Sequence, residues 1–161
     1  PVSGCIKQYP TEKWRCMFAQ YMYPYLQVPL FSVNSLYDTW SIANILGITC
    51  IDSFGSLKNC LDSDRHIIED YKKNSTDVLT QIAAINGNGA WGIACAGHSY
   101  LYYNAMNSPN FRVPGGSDNT IEFSVAAWII GFKQNTHIDT VSWPNNKECA
   151  GETVNTSLTV M

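Results

Sequence analysis

A chain of 161 residues, 45% apolar and only 14% charged, is long enough for one domain that buries roughly 70% of its unfolded surface; its charged fraction lies well below the roughly 25% of an average soluble protein, so much of its surface is expected to be covered. The net charge of −3 supplies no basic stripe, which excludes the electrostatic footprint of a nucleic-acid binder. The longest nearly uncharged apolar stretch, Phe123 to Phe132, is about half a membrane span, so the chain reads as soluble, with no membrane span.

Pro1 is not an initiator, and the chain reads as processed or trimmed, with no signal segment remaining. Thr11 to Tyr21 reads as a short helix with Thr11 as N-cap, broken by Pro24. The apolar run from Val28 to Ser35 is expected to form a buried strand that runs into a loop closing on Asp38. Thr39 to Leu46 places Trp40, Ala43, Ile45 and Leu46 near helical spacing and stops at Gly47, a suitable C-cap. A longer helix is expected from about Ser63 to Ile85, its apolar face marked by Ile67, Ile68, Tyr71, Val78, Leu79, Ile82 and Ile85 and interrupted by a polar patch near Asn74. Gly87-Asn88-Gly89 then turns into a second strand, about Gly89 to Cys95, within a run of small residues that ends at Gly97-His98. There Gly97 would let the chain turn tightly before the imidazole. The last helix, Asn119 to Phe132, carries Ile121, Val125, Trp128, Ile129 and Phe132 along one stripe and reads as a packing helix.

Strand, helix, strand in this order predicts two parallel neighbours joined by a right-handed crossover. Ligand sites in such sheets lie beyond the carboxyl ends of the strands, where Asp38 and His98 both fall. Only these two strands are convincing, and a two-stranded sheet is rarely stable unless more strands extend it. No repeat, linker or low-complexity tract divides the chain, so it reads as one domain or part of one.

Six cysteines contain no Cys-x-x-Cys, which disfavours a zinc site, and no cofactor is implied. Disulfides are the better reading. Cys5 with Cys16 and Cys50 with Cys60 close short loops worth about 2 to 3 kcal/mol each in the chain-entropy model, leaving Cys95 with Cys149. Two sequons, at Asn74 and Asn155, suit the same oxidising, glycosylating compartment, so the protein is expected to be secreted or to lie in the lumen of the secretory pathway.

Asp followed by His, each after a strand, is the order that α/β-hydrolases use after their serine. The serine should stand in Gly-x-Ser-x-Gly, and no serine of this chain has glycines at both positions. At these residues the chain resembles the pectin acetylesterase family, which includes the Notum-type carboxylesterases. Tyr25 to Leu46 is similar to the family's stretch leading to its triad aspartate, Cys95-Ala-Gly-His98 is similar to its cysteine, two residues, histidine motif, and Cys5 and Cys16 look like its paired cysteines. Asp118 to Gly131 resembles the helix that follows, with Trp128 at the tryptophan position. Two departures stand out: Ser99 replaces the cysteine that plant-type members carry after the histidine, and Thr140-Val-Ser-Trp-Pro144 replaces their cysteine-proline-tyrosine-proline-cysteine segment.

The resemblance implies the C-terminal part of an α/β-hydrolase, a mostly parallel sheet flanked by helices, whose nucleophile half lies on residues outside this chain. Asp38 and His98 would then be the triad acid and base, and the ester would be an O-acetyl group on a polysaccharide or, as in Notum-type members, a lipid acyl group. A silent member used for structure or binding is the other class. Each residue also has a plainer reading. Asp38 suits an N-cap for the helix beginning at Thr39, and His98 a solvated loop position. His66 and His137 are expected at the surface. Tyr37, Trp40, Trp91 and Tyr100 to Tyr103 would wall a sugar site or fill the core, and Asn34 and Asn104 would touch substrate. The nucleophile half is the expected partner, through an interface well above the roughly 2,000 Å² of obligate contacts that buries Phe31, Val33, Ile93 and the Val125 to Phe132 face.

Overall fold

The structure, a computed structural model, describes residues 2–52, 56–98, 106, 108, 111–116, 118–131, 136–143, 145, 146 and 149. Tyr100 to Asn104, Phe132 and the Asn155 sequon therefore lie outside the described residues, as do Ser99 and Pro144.

The chain begins with a short helix the sequence does not announce, α1 (Ser3–Gln8), and the expected helix at Thr11 to Tyr21 is broken in two. A 3-10 turn, Lys13–Met17, has Glu12 rather than Thr11 before it, and α2 (Ala19–Met22) follows an extended Phe18. Cys16 is tied to Cys5 of α1, and the Arg15 guanidinium lies over the rings of Tyr9, Trp14 and Tyr21 at 5.1 to 5.5 Å. These fastenings outweigh the local preference for one continuous helix. Pro24 sits in a second 3-10 turn, Tyr23–Tyr25.

Strand β1 spans Phe31–Asp38, three residues later than expected at its start. Pro29 lacks an N–H, the Leu30 N–H donates to Asn88 Oδ1 at 2.8 Å, and the ladder opens only at Phe31 opposite Gly89. Helix α3 (Thr39–Asn44) follows at once and ends as Gly47 takes a left-handed φ of +71°, which lets the Ile48 N–H reach the Ile42 carbonyl. Helix α4 (Asp62–Ala83) carries the chain back to β2 (Gly89–Gly97), parallel to β1. After α5 (Ile121–Ile129), a third strand, β3 (Thr136–Ile138), adds to the far side of β2.

The expectation of two strands is thus corrected to a parallel sheet ordered β1-β2-β3. So is the surface placement of His137, which pairs with Trp91 in β3, is partly buried, and has a ring Nε2 enclosed without a hydrogen-bond partner. Three residues are too few to show an alternation. His66 is exposed, as expected.

Two clusters cover the sheet. Leu36, Ala90 and Ala94 pack with Ile42, Ile68 and Leu79 on one side, where Gly92 is needed because a Cβ there would stand 2.7 Å from Leu79 Cδ1. Trp91, Ile93 and Cys95 pack with Phe111, Val113 and Ile121 on the other. Ile93, expected to await a missing partner, is therefore already fully buried within this chain, whereas Phe31, Val33 and Val125 are only partly so.

The face that α5 buries also differs from its predicted stripe. Ile121, Ser124 and Ala127 point inward, while Ile129 and Ile130 are about 70% exposed. Small side chains let the helix lie close to the sheet, and Trp128 fastens it by donating its indole N–H to the Gly87 carbonyl at 2.7 Å. All six cysteines are paired: Cys5 with Cys16, Cys50 with Cys60, and Cys95 with Cys149. Among the described residues, no helix is long and apolar enough to cross a membrane.

Candidate active site

Parallel pairing sets Asp38, the last residue of β1, opposite Gly97 of β2, so His98 follows one position beyond. Gly97 thus belongs to the ladder rather than to a turn. The two side chains meet, with His98 Nδ1 2.6 Å from Asp38 Oδ2. The other carboxylate oxygen, Oδ1, accepts the Ser41 N–H at 2.7 Å and caps α3. The N-cap reading of Asp38 thus holds through Oδ1, while Oδ2 faces the imidazole. The carboxylate is nearly buried at 8% exposure, and the imidazole is 47% exposed. With a capped carboxylate accepting at Nδ1, the neutral ring carries its proton there and keeps its lone pair on Nε2, the arrangement in which an imidazole can take a proton from a hydroxyl.

What aims the end of β2 is a bulge. Ser35 pairs with Ile93, but Tyr37 pairs with Ala96, so β2 carries one extra residue just before the site. The buried Ser35 hydroxyl fills the gap, donating to the Cys95 carbonyl at 2.6 Å and accepting the Tyr37 N–H at 3.1 Å. On the opposite edge the Ala94 N–H donates to Asp139, a buried carboxylate just past β3 that also accepts from the Val141 N–H and from Asn146 Nδ2. The Cys95–Cys149 bond closes the circuit, because the Cys149 N–H donates to the Asn146 carbonyl. Sequence reasoning missed Ser35 and Asp139.

Of the aromatic residues expected to wall a sugar site, Tyr37 and Trp91 are 1% and 0% exposed and belong to the core. That settles them as packing residues. The Tyr37 hydroxyl donates to Glu69 at 2.6 Å and accepts the Trp143 N–H at 3.0 Å, and burial, followed by the Glu69 carboxylate, pushes the phenol well above its ordinary range. Lys72 donates to the Val141 carbonyl at 2.8 Å. The stretch that departs from the plant-type cysteine segment is thus held by side chains of β1 and α4. Trp40 alone of the described aromatics expected there is exposed beside the site, stacked on His98 with centroids 6.0 Å apart and planes at 24°. Asn34 lies partly buried within β1, and Asn74 is exposed on α4. Among the described residues, no group of His, Cys, Asp or Glu is arranged to hold a metal ion.

The fold is that of solved structures of the Wnt deacylase Notum from Drosophila. One crystal form aligns over 91% of this chain and 38% of its own, with a TM-score of 0.69 at 21% identity; another gives 0.65 over 88% of this chain. This is an α/β-hydrolase architecture, of which the three parallel strands and their helices are a portion. In sequence, pectin acetylesterase 7 of Arabidopsis thaliana is 27% identical over 92% of this chain and 39% of its own length. The palmitoleoyl-protein carboxylesterase Notum of Drosophila melanogaster is 50% identical over 34 residues, 21% of this chain and 5% of its own length. The chain spans about two fifths of the length of the first of these relatives. The family described as Pectinacetylesterase matches residues 2–150, a span that takes in β1, β2, Asp38 and His98, and this chain belongs to that family.

Proposed function

We propose that this chain is the C-terminal part of a secreted serine carboxylesterase in which Asp38 and His98 are the acid and base of a triad, the serine standing on residues outside the chain. The observation that carries the reading is the 2.6 Å contact between His98 Nδ1 and a carboxylate that is itself capped. In the proposed reaction, His98 Nε2 takes the proton of the serine hydroxyl as it attacks the ester carbonyl, Asp38 stabilises the imidazolium, and the imidazolium returns the proton to the leaving alkoxide. Water then repeats the sequence to release the acid. The substrate is an O-acetyl ester on a polysaccharide, in keeping with the relatives named pectin acetylesterase. Three disulfides and the exposed Asn74 sequon support an oxidising, glycosylating route to the cell exterior.

A fatty-acyl ester is the second reading, favoured by the segment half identical to a palmitoleoyl-protein carboxylesterase. The test is to express the whole gene product and assay acetate release from acetylated pectin beside p-nitrophenyl esters of increasing chain length. Activity on acetyl substrates that falls by about 10³- to 10⁴-fold in His98→Ala is expected. Preference for long acyl chains selects the second reading, hydrolysis that survives His98→Ala overturns the triad, and no hydrolysis at all leaves the silent family member.

A further inference from the structure

We propose that Trp40 is a positioning residue for His98: its indole, stacked on the imidazole, holds the ring against Asp38 and steadies the imidazolium that forms when the ring takes a proton. The inference rests on the reading of His98 as a base. One hydrogen bond, from Nδ1 to Asp38, fixes the tautomer of a ring that is otherwise half in solvent, but it does not fix the tilt of the ring. The indole supplies the missing restraint, at a separation and angle within the range of offset aromatic stacking.

Burial does not explain its position. Trp91 is 0% exposed and fills the core, whereas Trp40 is 51% exposed and gains little from burial. Both restraints come from the first turn of α3, since Asp38 caps it through Ser41 and Trp40 lies between them. The same turn therefore orients the carboxylate and the imidazole. Among the described residues, the titratable groups around the ring are few. α3 and β2 contain none, Cys95 being in a disulfide; β1 brings Asp38 and the buried Tyr37, which is turned to Glu69. The indole face favours a cation, so replacing Trp40 is expected to disfavour the imidazolium.

The experiment uses the full-length protein with ¹³C-labelled histidine, the His98 resonances being assigned by their loss in His98→Gln. In the unsubstituted protein the ring protons of His98 are expected upfield, shifted by the indole ring current. Trp40→Leu should abolish that shift and lower the titration midpoint of His98. It should also lower kcat about two- to tenfold with KM unchanged, the cost of losing a cation–π contact at a partly exposed site, and Trp40→Phe should restore most of each. Unaltered His98 resonances and titration in Trp40→Leu would overturn the proposal, as would a change confined to KM, which would make Trp40 a wall for substrate. A failure of the esterase reading is distinguishable: it appears as hydrolysis insensitive to His98→Gln, while the resonance arm still decides whether the stack exists.

Discussion

Asp38 divides its two oxygens between a helix and an imidazole, and the division can be taken apart by substitution. In Asp38→Asn the amide oxygen still accepts from the Ser41 N–H, since asparagine caps as well as aspartate, but its NH₂ faces Nδ1 and favours the wrong tautomer. Turnover of the full-length enzyme should fall by about 10³- to 10⁴-fold with unfolding nearly unchanged. Asp38→Ala should lose the same turnover and a further 0.5 to 2 kcal/mol or so of stability through the cap. Equal stability losses in the two variants, measured by denaturant titration, would show that the cap contributes nothing. His137 makes a different prediction. Burial lowers its pKa below the ordinary 6.5, so the unfolded chain binds the extra proton first. Stability is then complete above about pH 6.5 and declines as pH falls below it. Denaturant midpoints at pH 7.5 and 5 should differ by less in His137→Leu than in the unsubstituted protein, and an equal difference would refute this.

Between β1 and β2 the bulge rests on one hydroxyl. Ser35→Ala removes the hydroxyl that donates to the Cys95 carbonyl and accepts the Tyr37 N–H in the core, which should cost about 1 to 3 kcal/mol. Ser35→Thr keeps the hydroxyl and is expected to recover part of that loss. Denaturant unfolding checks both, and a neutral Ser35→Ala would mean that water fills the gap. The elements legible in the sequence are those whose own residues decide them. Helix α4 has enough turns for its apolar face to show, β2 is nearly all small and apolar, and Asp38 and His98 stand at the end of one strand and just past the end of the other. What stayed hidden depends on partners distant in sequence. The N-terminal helix is split by a disulfide and a stacked arginine, β3 exists only because β2 offers it an edge, and α5 turns its small residues inward because close approach to the sheet favours Ser124 and Ala127 over the larger stripe. The bulge needs two strands before it can be counted at all.

For the whole molecule, the chain spans about two fifths of its first relative, and it leaves large apolar residues exposed. Phe123, Ile129 and Ile130 of the α5 region stand 46%, 70% and 69% exposed, an unfavourable arrangement in water, and one edge of β1 has no strand paired to it among the described residues. The rest of the hydrolase is proposed to cover both. Replacing Ile129 and Ile130 with Glu should therefore have opposite effects: residues 1 to 161 expressed alone should become more soluble and more often monomeric, while the full-length protein should lose yield. Size-exclusion chromatography of the two pairs reads the outcome, and improvement in both would mean that this face is ordinary surface. The disulfides carry a further consequence, for the order in which the molecule is made. Cys5–Cys16 and Cys50–Cys60 join residues 11 and 10 apart, whereas Cys95–Cys149 spans 54. If the chain is secreted as proposed, the first two bonds can close locally as each segment enters the lumen, but β2, which ends at Gly97 just before His98, has no disulfide until residue 149 has been translated. On the proposed chemistry the base is the last catalytic group to be locked, so that a nascent or truncated chain, however well its earlier portions have folded, is not yet a hydrolase.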